Sequence, residues 1–212
     1  VCAGAGLEAV FRDLGVDGLV GGGQTMNPST EDILKEIEAT PAEIVYVLPN
    51  NKNIIMAAQQ CVGLCKDKKI VVLPTKTVPQ GISALLSADP EATEEENTAS
   101  MTEAFQRVRT SEVTYAARDS DFGGTEIHQG DYLALEEHQL FGTDQDLERL
   151  LDRLAHSSSH QEAEFISIFS GADVTEDQAR RAEEIFAAAC PHAEISLLPG
   201  GQPVYYYMIS AE

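Results

Sequence analysis

Side chains able to hold a ligand gather at three loops of this sequence. The first lies in GGGQTMNPSTEDIL, residues 21 to 34. Gly22 and Gly23 allow a tight turn and positive φ, and Gln24, Thr25, Asn27 and Ser29 offer amides and hydroxyls just ahead of a helical pattern. Such groups could hold a phosphate, a carboxylate or a lipid head group, or they could only turn the chain. The second and third loops echo each other in YVLPNNKNII and VVLPTKTVPQG. Each runs from an apolar strand through Pro into polar residues and a Lys: Asn50, Asn51, Lys52 and Asn53 in one, Thr75, Lys76, Thr77 and Gln80 in the other. In open α/β sheets such loops lie beyond the carboxyl ends of neighbouring strands, where ligands bind. The helix N-termini behind them favour an anion. Asn and Thr also cap helices and end strands, so the pattern serves either a binding site or simple termination.

No self-sufficient catalytic constellation accompanies these loops. The sequence has no G-x-S-x-G elbow and no G-x-x-x-x-G-K-[ST] loop, and GGGQTM does not match G-x-G-x-x-G. His156 and His160 are four apart in HSSSH, which reads as a Ser-rich loop at a helix end rather than a metal site. Cys61 and Cys65 share a helical face without a His or further Cys to complete a metal site, so Cys2, Cys61, Cys65 and Cys190 read as buried free thiols in a reduced, cytoplasmic setting.

The charge balance narrows the partners. Thirty-five acidic against 14 basic residues give a net charge of −21, which opposes nucleic acid backbones and anionic membranes alike. No apolar run approaches the roughly 20 residues of a membrane span. The first residue is Val rather than Met, which suggests a piece of a longer protein. All six lysines fall between Lys35 and Lys76.

The elements that must position the loops alternate in type. Residues 7–15 and 30–40 read as amphipathic helices, 43–49 and 69–74 as buried parallel strands, and 53–66 and 78–88 as helices. That βαβα order predicts a parallel sheet with right-handed crossovers. An acid-rich helix start follows at 89–96, with an apolar stripe at Met101, Ala104, Phe105 and Val108. Beyond it, 111–120 and 132–142 alternate as half-exposed strands, 144–157 and 175–190 read as helices, 164–171 as a buried strand, and the tail as closing strands. The fold class is therefore α/β, with a first lobe over 1–108 and a second, mixed lobe over 109–212. In the tail, YYYMIS suggests alternating burial in a last strand.

GGQTMNPSTEDIL, LPNNKNIIMAAQQ, LPTKTVPQGISALL, EVTYAARD with GDYLAL, and GGQPVYYYMIS, in this order, resemble the C-terminal domain of bacterial fatty acid kinase A proteins, which are related to dihydroxyacetone kinases. The likeness covers essentially the whole chain. It implies a non-catalytic domain, with ATP and Mg held by a kinase domain outside this chain. It also implies a separate fatty-acid-binding protein of the DegV type as partner, whose acyl carboxyl is phosphorylated for phospholipid synthesis, and a homodimer formed through the parent protein.

A more distant likeness is to the two-lobed DegV fold itself, which holds a fatty acid between its lobes. DegV proteins carry a Thr-Ser-Gln-Pro-Ser type loop, where this chain has Gln24 to Ser29. They also carry a His-x-Gly-Pro-Gly type turn, where it has Pro199, Gly200, Gly201 and Gln202. The head-group chemistry is thus altered, which favours a carrier fold reused for docking. The expectation is a docking surface at the 24–29, 50–53 and 75–80 loops and the Gly200–Gln202 turn, with the acidic chain selecting a basic partner face. The alternative is a module that itself holds a fatty acid or small anion in the crevice between the lobes.

Overall fold

The computed structural model describes residues 1–23, 26–122 and 124–212. It divides into two compact units, Val1–Val108 and Arg109–Glu212.

In the first unit, α1 (Ala5–Asp13) and α2 (Thr30–Ala39) precede β1 (Ile44–Val47), α3 (Ile55–Leu64), β2 (Lys69–Val72), α4 (Val78–Leu86) and α5 (Glu94–Arg107). Side-chain caps start α2, α4 and α5. Ser29 caps α2 by accepting from Asp32 N–H while the Asp32 carboxylate accepts from Ser29 N–H, a reciprocal box. Thr93 and Glu96 form the same box at α5, whose first turn carries three glutamates at the positive end of the helix dipole. β1 and β2 pair in parallel, from Ile44 opposite Lys69 to Val47 opposite Val72. One core joins Ile33 and Ile37 of α2 to Ile54, Ala58 and Cys61 around α3, and another joins Leu73 and Ala84 to Met101 and Phe105 of α5. The two strands are less buried than continuous apolar runs suggest: Ile44 is exposed, and only Val47 and Ile70 are buried. Among the described residues each strand of this pair is an edge strand, without a further strand beside it, so its flank stays open to solvent.

The second unit is built on one six-stranded sheet. Its chain order is β3 (Arg109–Tyr115), β4 (Ser120–Phe122), β5 (Thr125–Ile127), β6 (Tyr132–Glu136), β7 (Gln139–Asp144), α6 (Leu147–Ala155), α7 (Ser158–Gln161), β8 (Phe165–Ser170), α8 (Glu176–Ala189), β9 (Glu194–Pro199) and β10 (Tyr207–Ala211). The sheet order is β7-β6-β3-β10-β8-β9, antiparallel throughout except for β8 with β9, which α8 connects. β4 and β5 form a separate hairpin. Leu150, Leu151 and Leu154 of α6 pack with Ala182, Ile185 and Phe186 of α8 over Val113, Ile166, Ile168, Tyr207 and Ile209 of the sheet.

Several sequence expectations for this unit need correction. The run 132–142 is a hairpin rather than one strand. Glu137 and His138 turn it with φ of 50° and 65°, a conformation usually marked by Asn or Gly. The run 111–120 ends as a strand at Tyr115. Every residue of β10 is buried instead of alternating: the strand pairs along both edges, with β3 and β8, and both of its faces are covered. HSSSH is partly helical: His156 caps the end of α6, and His160 lies in α7, fully buried.

Candidate functional site

The two strand-end loops of the first unit lie side by side, because β1 and β2 are parallel neighbours and Leu73 N–H donates to Val47 O at 3.1 Å. Their polar residues turn inward. Asn50 takes a left-handed φ of 56°, which Asn tolerates better than most residues. Its N–H donates to Thr75 Oγ1 at 3.1 Å, and the Thr75 hydroxyl donates back to Asn50 Oδ1 at 2.8 Å. Asn50 Nδ2 donates to Val1 O at 2.9 Å. Asn51 Oδ1 accepts from Asn53 N–H, Thr77 caps α4 by accepting from Gln80 N–H, and Gln80 Oε1 accepts from Lys76 N–H at 2.7 Å.

Asn50, Asn51, Thr75, Thr77 and Gln80 are all buried, whereas Lys52, Asn53 and Lys76 are exposed. The loops therefore form a closed polar clasp with two ammonium groups outside it. Gly81 completes the clasp, since a Cβ there would sit 2.1 Å from Asn50 Oδ1. Sequence reasoning passed over Gly81 and Val1, because both act through contacts distant in sequence.

The glycine segment joins this clasp through the first two residues. Cys2 bridges Gly21 in parallel, with Cys2 N–H donating to Val20 O and Gly22 N–H to Cys2 O. Val1, next to it, donates to Leu48 O and accepts from Asn50. Gly22 and Gly23 hold φ of 150° and 151°. A Cβ on Gly22 would lie 2.7 Å from Pro28 Cδ and 2.8 Å from Met26 O, so the turn requires glycine. Gln24 and Thr25 lie outside the described residues. Asn27 is exposed. Ser29 is engaged as the α2 cap, and its hydroxyl and N–H hold the Asp32 carboxyl below the usual carboxylate range.

Gly200, Gly201 and Gln202 belong to the second unit. The N–H groups of Gly200 and Gly201 both donate to Ser170 O, and Gly201 has a φ of 65°. Gln202 is buried, with Nε2 donating to Phe169 O at 2.8 Å and Oε1 left without a partner. A Cβ on Gly200 would meet that Oε1 at 2.0 Å. The turn thus wraps the end of β8.

A further polar group in the second unit escaped sequence reasoning. Glu112 is buried in β3; its Oε2 accepts no hydrogen bond, and His138 Nδ1 lies 3.5 Å from that oxygen. Burial and this carboxylate push the Tyr205 hydroxyl upward. His160 has Nδ1 2.8 Å from Ser157 Oγ and packs edge-on against Phe186, and burial lowers its pKa to about 4. Among the described residues, no three His, Cys, Asp or Glu side chains gather as metal ligands. Cys2, Cys61 and Cys190 are buried free thiols, and Cys65 is half-buried. No helix among the described residues is long and apolar enough to cross a membrane. The first unit also holds a cavity of about 220 Å³, lined by apolar side chains such as Phe11, Val16, Ile37 and Met101 and by the carboxyl-bearing Asp17 and Glu36.

A family model for the C-terminal domain of FakA-like fatty acid kinase proteins matches residues 1–212. The chain belongs to that family. This FakA-like C-terminal domain is 36% identical over 212 residues to protein YloV of Bacillus subtilis, a match that covers all of the domain and 38% of YloV. The domain thus spans well under half the length of that relative. Among solved structures it is similar to a DegV family protein of Corynebacterium glutamicum, with a TM-score of 0.65 and 14% identity over 96% of this chain and 91% of that one. It is also similar to the fatty acid kinase B3 protein of Streptococcus pneumoniae, solved loaded with linoleic acid, with a TM-score of 0.63 and 15% identity over 87% of this chain and 76% of that one. At such identities the likeness shows the fold, which is DegV-like.

Proposed function

We propose that this domain docks a fatty-acid-binding protein of the DegV type, so that the acyl carboxylate reaches a kinase domain elsewhere in the parent protein. The inward-turned clasp carries this reading. Asn50, Thr75 and Gln80 spend their hydrogen-bonding groups on one another and on the adjoining backbone, which leaves Lys52, Asn53 and Lys76 to face outward. An outward rim of this kind suits contact with a protein surface more than enclosure of a small anion. The gain is proximity: a held partner presents its carboxylate at high effective concentration. ATP and Mg belong to the kinase domain in this proposal, and no residue of this chain is assigned to either. A homodimer formed through the parent protein is compatible with it.

The test is calorimetric titration of the domain with its cognate fatty-acid-binding protein, loaded and empty, at two salt concentrations. Salt-sensitive binding, weakened about 3- to 10-fold by Lys52→Ala or Lys76→Ala, is the expected result. Absence of binding overturns the proposal.

The apolar cavity favours a second reading, in which the domain itself holds a fatty acid. Asp17 and Glu36 in its lining would repel a carboxylate head group, so the acid would have to bind protonated or with its head turned outward. Fatty acid in organic extracts of the purified domain would support this reading.

A further inference from the structure

From Ile44 to Ala88 the chain has five lysines and a single acidic residue, Asp67. In a protein of net charge −21 this stretch is an island of opposite sign. At its centre lies α3, whose ten residues, IMAAQQCVGL, carry no charge and no side-chain cap. α4 is also uncharged, but most of its residues are buried. α3 buries only Ala58 and Cys61. Its outer arc is Met56, Gln59, Gln60, Val62, Gly63 and Leu64, all exposed, with Met56 at 70%, Leu64 at 58% and Val62 at 49%. Lys52 stands three residues before the helix and Lys66 two residues after it, both exposed.

Folding alone does not account for this arc. A helix facing water gains from charged residues and from caps, and α3 has neither. Gly63 sits in helical conformation on the exposed side, and a Cβ there would touch nothing within 4 Å. Neither backbone conformation nor close packing calls for glycine, which is a poorer helix former than Ala. What Gly63 provides is a flat spot between Met56, Gln60 and Leu64 where another backbone can approach. Exposed methionines adapt to a partner's contours.

We infer that the exposed arc of α3, with Lys52 and Lys66 at its ends, is the surface that seats the fatty-acid-binding partner. This rests on the docking reading above and names its contact face. The partner face that fits is an uncharged apolar patch bordered by carboxylates, so the acidic character of the whole chain is a poor guide to this surface. A second copy of the chain fits badly. A two-fold pairing of α3 with itself opposes lysine to lysine, and the outer face of α5 offers Glu94, Glu95 and Glu103 without an apolar centre. An anionic membrane fits badly too, because the remaining surface repels it and the arc has no Trp, Tyr or Phe to anchor it.

The test is the same titration with three variants of the domain, each checked by thermal melting. Met56→Glu combined with Leu64→Glu should weaken binding by about 30-fold or more with an unchanged melting temperature, since both side chains face solvent. Lys52→Glu combined with Lys66→Glu should weaken binding and flatten its salt dependence. Gly63→Gln should raise the melting temperature yet lower affinity, a pairing that a merely structural role for Gly63 does not produce. Wild-type binding that is indifferent to all three variants overturns the assignment of this face and leaves docking standing. Failure of the wild type to bind overturns the docking reading and this assignment together. Wild-type dimerisation, or capture on vesicles of anionic phospholipid, that is abolished by Met56→Glu/Leu64→Glu while partner binding persists also overturns it.

Discussion

α3 of the first unit and α8 of the second are both surface helices lying beside parallel strands, yet their sequences answer to different demands. α8 starts with a Thr175–Gln178 capping box and buries Ala179, Ala182, Ile185 and Phe186. It also ties its outer face together through Arg180 to Glu176 and through Arg181 to Glu148 and Glu184. Each of these positions has a reason within its own unit. α3 has no cap, no charge and a solvent-facing row of Met, Gln, Val, Gly and Leu. Where folding leaves a surface so weakly determined, its composition is free to reflect a partner.

That contrast can be broken most severely at the base of α8. Phe186→Ala should cost about 3–5 kcal/mol in chemical denaturation, because the ring is fully buried against His160 and the α6 leucines. Met56→Ala on α3 should stay within about 0.5 kcal/mol of wild type. Equal costs at the two positions would end the comparison.

Acid sharpens it next. His160 is held neutral beside Phe186, with a folded pKa of about 4 against an ordinary 6.5. Between these values the unfolded chain binds the extra proton, so this histidine favours folding above pH 6.5 and opposes it increasingly as pH falls toward 4. The loss reaches about 3 kcal/mol. Denaturation from pH 7 to pH 4 should show a shallower decline for His160→Gln than for wild type, and equal slopes would remove His160 as the cause. The smallest effect is at the start of α8. Thr175→Ala removes the capping hydroxyl and should cost about 1 kcal/mol, measured by thermal melting. α3 has no comparable side-chain cap to lose at its N-terminus.

The same two helices show what was legible in the sequence. α8 was readable because its cap, spacing and charges are local, and so was the βαβα order around α3, where continuous apolar runs end in Pro. The polar residues after β1 and β2 stood out by type. Their inward orientation did not, since it depends on Val1 and Gly81 meeting Asn50 from distant positions. The β6–β7 turn was hidden for a different reason. Glu137 and His138 adopt positive φ without the Asn or Gly that advertises it, and their place follows from strand pairing on either side. Nothing in the type or spacing of Glu112 marks it as buried, because burial inside a sheet is settled by what covers it.

The place of β10 also sets an order of assembly. β3, β6 and β7 lie close in sequence, with the β4–β5 hairpin between the first two, and pair with their neighbours without a long loop, while β8, α8 and β9 form a compact parallel unit of their own. Among the described strands, β10 alone touches both groups. Its approach to β3 is long-range: the Thr114 hydroxyl reaches Val204 O across 90 positions of sequence. Closing so long a loop is slow relative to forming either half. We therefore expect β10 to join the sheet late in the folding of the second unit, and substitutions in it to change the unfolding rate more than the folding rate.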